Sequence, residues 1–363
     1  MPALDPNDPF ARVRAALGDE SVGLAALMEL VQATYLGLDR DTRLARNFKE
    51  LLLRTLIRRD PALPHGPANT IEARGILVVG ESGAGKSHAL KRILSRHPAF
   101  PGYGDPTSDC QAITVHVTSP STFIGLGRRT LRATGYPAIG KLENHEIWSR
   151  VYERLEMRKI FVVHFEEMHN VFLTAHSDDL KDILNTLKTL MTLPTWPVIV
   201  IISGLPCLQA FLHQSDEDRR RLRIIEFDSM SLPADVEMMA AMATKLAGIA
   251  ELRVSADLTE RIVPRLIHAA LYQVGTAIEL IHEAILNALT DDRPASVVQL
   301  ANFANAYAAR TACGPLANPF LASDWATLDC SLVMQKKPLP PDPEDEVLTS
   351  AKTARRAMSR GRR

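Results

Sequence analysis

The chain has 363 residues, room for one large domain or two to three smaller pieces, and 46% are apolar, enough for a sizeable core. Its 42 basic and 42 acidic residues cancel, which excludes a global field steering the protein to nucleic acid, so any basic surface is local. Cys110, Cys207, Cys313 and Cys330 lie far apart without C-x-x-C spacing, which speaks against a disulfide framework or zinc site and for a reducing, cytoplasmic-type compartment.

Taken in chain order, "MPALDPNDPF" has neither the basic nor the apolar region of a signal peptide, and no apolar run approaches the length of a membrane span. Residues 10–60 carry helical periodicity, in "FARVRAALGD" and "TRLARNFKELLLRTLIRRD", which predicts a helical N-terminal region over 1–60. "PALPHGPANT" breaks that pattern and sets a boundary. Strand-like runs follow at 75–79, 112–117, 160–165, 197–204 and 222–227, separated by helical segments at 86–96, 121–134, 144–157, 178–192 and 205–214. This alternation predicts an α/β domain over 61–232, built on a parallel five-stranded sheet with ligand at the carboxyl ends of its strands. After Pro233 the strand signals stop, and "ADVEMMAAMATKLAGIA", "SADLTERIVPRLIHAA", "GTAIELIHEAILNAL" and "PASVVQLANFANAYAAR" predict a small helical domain over 233–312. Residues 313–363 form a C-terminal extension. Its tail, Pro-rich, then acidic, then basic, is expected to be partly disordered.

The sharpest motif is "GESGAGKS", residues 80–87, set between an apolar strand and a helix. Its spacing is the phosphate-binding G-x-x-x-x-G-K-[ST]. Gly80, Gly83 and Gly85 let the backbone turn its N–H groups toward an anion, Lys86 is placed for the β- and γ-phosphates, and Ser87 offers a hydroxyl to Mg²⁺. The candidate nucleotide cradle is Gly80, Glu81, Ser82, Gly83, Ala84, Gly85, Lys86, Ser87 and His88. "FVVHFEEMHN" ends a strand in two carboxylates; Glu166 is assigned to the metal and Glu167 to the attacking water. The usual pair is Asp-Glu, so the longer Glu166 raises the alternative of an ATP-gated module with little turnover. His164 is taken as a core residue, and His169 and Asn170 as loop residues near the site. Ser203, ending "IIS", is either a contact to the γ-phosphate or a turn residue. "DEDRRRLRIIEF" places Arg219, Arg220, Arg221 and Arg223 as a solvated basic turn or as the source of an arginine finger for a neighbouring subunit.

In this order, "ARGILVVGESGAGKS", "HFEEMHN", "SGLP" and "RRRLRIIEF" resemble an AAA+ ATPase, a P-loop NTPase followed by a small helical lid. The closer resemblance is to the TniB/TnsC group of transposon-encoded ATPases, carried by "AITVHVTSPST" with "LRATGYP", by "EEMHN" and by "YLGLDRDTRLARNFKELL", over roughly residues 30–310. The resemblance implies an ATP- and Mg²⁺-dependent regulator of DNA transposition. Its implied partners are double-stranded DNA, a transposase, a target-selection protein and further copies of itself in a ring or helical filament. It gives Gly80, Gly85, Lys86 and Ser87 to nucleotide and Mg²⁺, the acid roles to Glu166 and Glu167, a sensor role to Ser203, and the finger to Arg221 with Arg220 second. Many AAA+ lids carry a sensing Arg where this chain has Ile278. "TSPSTFIGLGRRTLR" offers Ser119, Ser121, Thr122, Arg128, Arg129 and Arg132 to DNA phosphates, with an ordinary amphipathic helix as the alternative. A helicase loader or replication initiator is a further reading, weakened because no winged-helix or helix-turn-helix pattern follows the lid.

Overall fold

The apolar run that opens the P-loop forms β1 (Gly75–Gly80), buried at every position. A computed structural model describes residues 9–66, 69–105, 107–119, 121–136, 146–174, 177–212, 220–290 and 296–331. Among them β1 is joined by β2 (Ala112–His116), β3 (Val162–Glu166), β4 (Ile199–Gly204) and β5 (Leu222–Phe227), in the order β2-β3-β4-β1-β5. Every neighbouring pair is parallel. β1, β3 and β4 are buried throughout, as continuous apolar runs in a parallel sheet require, whereas the edge strands β2 and β5 mix buried and exposed positions.

The connections are helical: α3 (Lys86–Ser95), α4 (Phe123–Ala133), α5 (Ile147–Met157), α6 (His169–Thr174), α7 (Ser177–Thr192) and α8 (Cys207–Leu212). The strand ends fall within two residues of their sequence positions. The short α6 has no counterpart in the sequence pattern.

The chain divides into two compact units, cut after Gly37 and after Asp228, unlike the four segments expected from the sequence. The first helices part company. α1 (Ala11–Ala33) buries Met28 and Val31 in the helical unit. α2 (Asp39–Thr55) lays Leu44, Phe48 and Leu51, at spacings of four and three, against β5 and β1. Burying each such side chain contributes about 1.5–3 kcal/mol, which ties α2 to the sheet unit.

The helical unit adds α9 (Val236–Ile249), α10 (Val263–Ala269), α11 (Val274–Thr290) and α12 (Leu300–Thr311) to α1. The expectation that strands end at Pro233 is corrected here: Arg253–Val254 and Val297–Val298 pair in parallel as a two-residue ribbon. Part of the C-terminal extension is ordered as well. Asn318, Phe320 and Cys330 are buried, and the Asn318 amide donates to the Ala304 carbonyl at 2.9 Å. The basic tail end "RRAMSRGRR" lies outside the described residues.

Candidate functional site

The site is built at the carboxyl ends of β1, β3 and β4. β1 delivers the chain to Gly80, where a Cβ would stand 2.7 Å from the Phe227 carbonyl oxygen of β5. Only glycine permits that approach. Gly83 and Gly85 take φ of 81° and 93°, the left-handed region, and Gly85 caps α3 so that Lys86 is its first residue. The Lys86 ammonium is buried and donates to the carbonyls of Gly80 at 2.8 Å and Glu81 at 2.9 Å, closing the loop over its own side chain. Burial pushes its pKa below the ordinary lysine value, against the opposing pull of Glu167, Glu81 and Glu166. Ser87 and His88 are exposed on the first turn of α3, where the helix dipole favours an anion. Glu81 and Ser82 are exposed and Ala84 is buried.

β3 ends in Glu166, only 8% exposed, and the structure engages it with a residue the sequence reading passed over. His116 ends β2 opposite Glu166 in register, and its Nδ1 lies 2.6 Å from Glu166 Oε2. Glu167 turns into the left-handed region at φ 58°, a conformation that costs a non-glycine residue about 1 kcal/mol or more and clusters at functional sites. Its carboxylate is 46% exposed, 3.6 Å from His169 Nε2. His169 is buried at the start of α6, and burial lowers its pKa despite Glu167. Asn170 donates to the Val117 carbonyl at 2.8 Å, tying the turn after β3 to the end of β2.

Ser203 stands on β4 at 1% exposure, with its hydroxyl 2.8 Å from His164 Nε2. His164 is buried as expected of a core residue, and both its ring nitrogens are hydrogen-bonded. Burial drives its pKa down to about 4, which keeps the ring neutral. A cavity of about 740 Å³ opens beside β2 and brings together Ser87, His88, Tyr103, His116 and Glu166.

Arg40 was equally unmarked in the sequence. From the first turn of α2 its Nη2 donates to the Ala84 carbonyl at 2.7 Å, and its guanidinium carbon sits 4.5 Å from the Phe227 ring centroid. It clamps the P-loop to the end of β5.

Arg221 lies at the other end of the sheet. Leu222 pairs with Gly75 and Phe227 with Gly80, so Arg221 is about 20 Å from its own P-loop. Its Nη1 is held by Glu72 at 2.7 Å. Arg220 is exposed beside it, Arg223 is bound by Asn47 and Glu50 of α2, and Arg219 lies outside the described residues. The candidate DNA residues divide. Ser121 is buried, Thr122 caps α4 by accepting from the Gly125 N–H at 3.0 Å, and Arg129 binds the Ser121 and Thr118 hydroxyls. These three build the turn into α4. Arg132 is exposed, and Ser119 and Arg128 are partly so.

The cradle fits a nucleoside triphosphate with Mg²⁺. Its glycines hold the turn, its lysine is already desolvated, and Ser87 and Glu166 border one cavity. No group of three His, Cys, Asp or Glu side chains is assembled for a metal among the described residues.

Residues 71–212 match the family model described as an AAA domain. The fold is AAA+. Cdc6p from Pyrobaculum aerophilum is similar, with a TM-score of 0.51 at 16% identity, over 80% of this chain and 70% of that one. ORC1 from Aeropyrum pernix, solved in complex with DNA, gives 0.49 at 16% identity over 74% and 64%. ORC2 from Aeropyrum pernix, in ADPNP and ADP complexes, gives 0.49 at 12% identity over 74% and 66%. The chain thus spans about two thirds of the length of these structures, and at such identities the likeness is one of fold. No curated protein sequence matches the chain. Among the described residues, no helix is long and apolar enough to cross a membrane.

Proposed function

We propose that this protein is a Mg²⁺-dependent ATPase that assembles on double-stranded DNA and couples target selection to a transposase. The observation that carries the ATPase reading is the convergence of Lys86, Ser87, Glu166 and Glu167 at the ends of β1 and β3. In this reading Lys86 exchanges the Gly80 and Glu81 carbonyls for the β- and γ-phosphates. Ser87 and Glu166 would hold Mg²⁺, which when bound would neutralise charge developing on the phosphates. Glu167 orients the attacking water. Arg221, remote from its own P-loop, completes the site of the next copy.

The transposition assignment rests on the TniB/TnsC resemblance of the EEMHN turn and the stretch after β2. An ATP-gated module of low turnover is the second reading, favoured by one observation. His116 occupies the carboxylate that would hold Mg²⁺, and that carboxylate is Glu rather than Asp. The test is assembly on duplex DNA, followed by light scattering and electron microscopy. With ATP, salt-sensitive rings or filaments are expected, because a chain of balanced charge must line up Arg contacts from several copies. Equal binding by the nucleotide-free protein would reject the proposal. If a transposase is encoded beside this gene, adding it should then raise insertion near the assembled protein.

A further inference from the structure

A line of hydroxyl and imidazole groups crosses the sheet and ends on Ser203, the candidate sensor, and its other members have no part in the chemistry above. Thr114, His164 and Ser203 stand on β2, β3 and β4, three strands adjacent in that order. Thr114 faces His164 in register, with its Oγ1 3.2 Å from Nδ1, and Nε2 lies 2.8 Å from Ser203 Oγ. The Thr114 hydroxyl is bonded in turn to that of Tyr103, on the wall of the cavity. His164 and Ser203 are 2% and 1% exposed, so their bond is shielded from water, and each bond of the line polarises the next. A neutral imidazole has one N–H and one lone pair. The choice of nitrogen therefore sets the direction of both bonds to the ring, and in the Nε2–H form it also requires Tyr103 to donate to Thr114.

We infer that Tyr103, Thr114 and His164 form a relay that orients the Ser203 hydroxyl hydrogen toward the terminal phosphate of a bound nucleotide, with His164 as its positioning residue. The inference rests on the proposed ATP site. In the productive direction Tyr103 donates to Thr114, Thr114 to Nδ1, and Nε2–H to Ser203 Oγ, which leaves the Ser203 hydrogen for a phosphate oxygen. In the reverse direction Ser203 donates to Nε2 and turns only lone pairs to the phosphate, which repel it. A triphosphate selects the first direction. A diphosphate, lacking the γ-oxygens, does not, so the relay contributes to telling ATP from ADP.

The test measures Mg-ATP and Mg-ADP affinities of the full chain, with kcat beside them. The variants are Ser203→Ala, His164→Leu, His164→Gln, Thr114→Val and the Ser203→Ala/His164→Leu pair. Ser203→Ala and His164→Leu should each lower the ATP-over-ADP preference about tenfold, and the pair no further, because both remove one hydrogen bond to a charged group. Thr114→Val should lower it about threefold, since it loosens the ring without removing it. His164→Gln keeps a donor and an acceptor and should stay within about twofold. A folded His164→Leu protein with the unaltered preference would overturn the relay and leave the ATP site standing. Should His164→Leu not fold, an unaltered preference in Thr114→Val would overturn it equally. Wild-type protein that binds no ATP would remove the site and the relay together.

Discussion

Arg40 shows how much of the P-loop's shape is decided by one side chain outside it. Its guanidinium holds the Ala84 carbonyl and stacks on Phe227, so it fixes the loop from α2 and β5 at once. Arg40→Ala should weaken ATP binding about tenfold, from the lost hydrogen bond and cation–π contact, with little change in the circular dichroism of the fold. Arg40→Lys should not restore it, because an ammonium cannot make both contacts in one plane. Equal ATP affinity in all three proteins, measured by calorimetry, would show the loop to be rigid without the clamp. The P-loop itself was legible because its spacing is local. Arg40, His116 and Tyr103 were not, because their roles come from register and from packing between segments distant in sequence.

At the scale of elements, five parallel strands could be read from the chain because each is an apolar run of the right length between helical segments. What could not be read was where helices dock. α1 and α2 have similar helical patterns in the sequence, yet they belong to different units. The turn into α4 teaches the same lesson. Ser121, Thr122 and Arg129 carry the chemistry of phosphate contacts, but here they cap and brace a helix. Thr122→Ala should therefore lower stability by about 1 kcal/mol in urea unfolding and leave DNA affinity nearly unaltered. A large loss of DNA affinity at unaltered stability would return Thr122 to the DNA surface. On α4 Arg132 is exposed and Arg128 partly so, and these two stay as the proposed phosphate contacts.

At the scale of the whole molecule, the sheet separates two chemical ends. The P-loop and acids lie at the carboxyl end, and Arg221 at the amino end, parked on Glu72. If Arg221 is the finger proposed above, one copy cannot complete its own site, and hydrolysis is expected of an assembly. Arg221→Ala should keep ATP affinity while losing hydrolysis and assembly, since a finger acts on the transition state. Mixing it with Lys86→Ala should partly restore activity, because some interfaces then pair an intact Lys86 with an intact Arg221. A mixture as inactive as either parent would count against a finger supplied by a neighbour.

The central claim is that Lys86 and Glu167 bind and hydrolyse ATP at the ends of β1 and β3. Steady-state phosphate release with Mg²⁺ and duplex DNA, run beside equilibrium ATP binding, tests it most directly. Wild-type protein should bind and turn over. Lys86→Ala should lose binding and with it turnover, because the Lys86 ammonium is the charge held inside the loop, on the Gly80 and Glu81 carbonyls. Glu167→Gln should bind as wild type and turn over about a hundredfold more slowly, because its amide cannot take a proton from water. Folded Lys86→Ala protein that binds ATP with wild-type affinity, or Glu167→Gln that turns over at the wild-type rate, would contradict it.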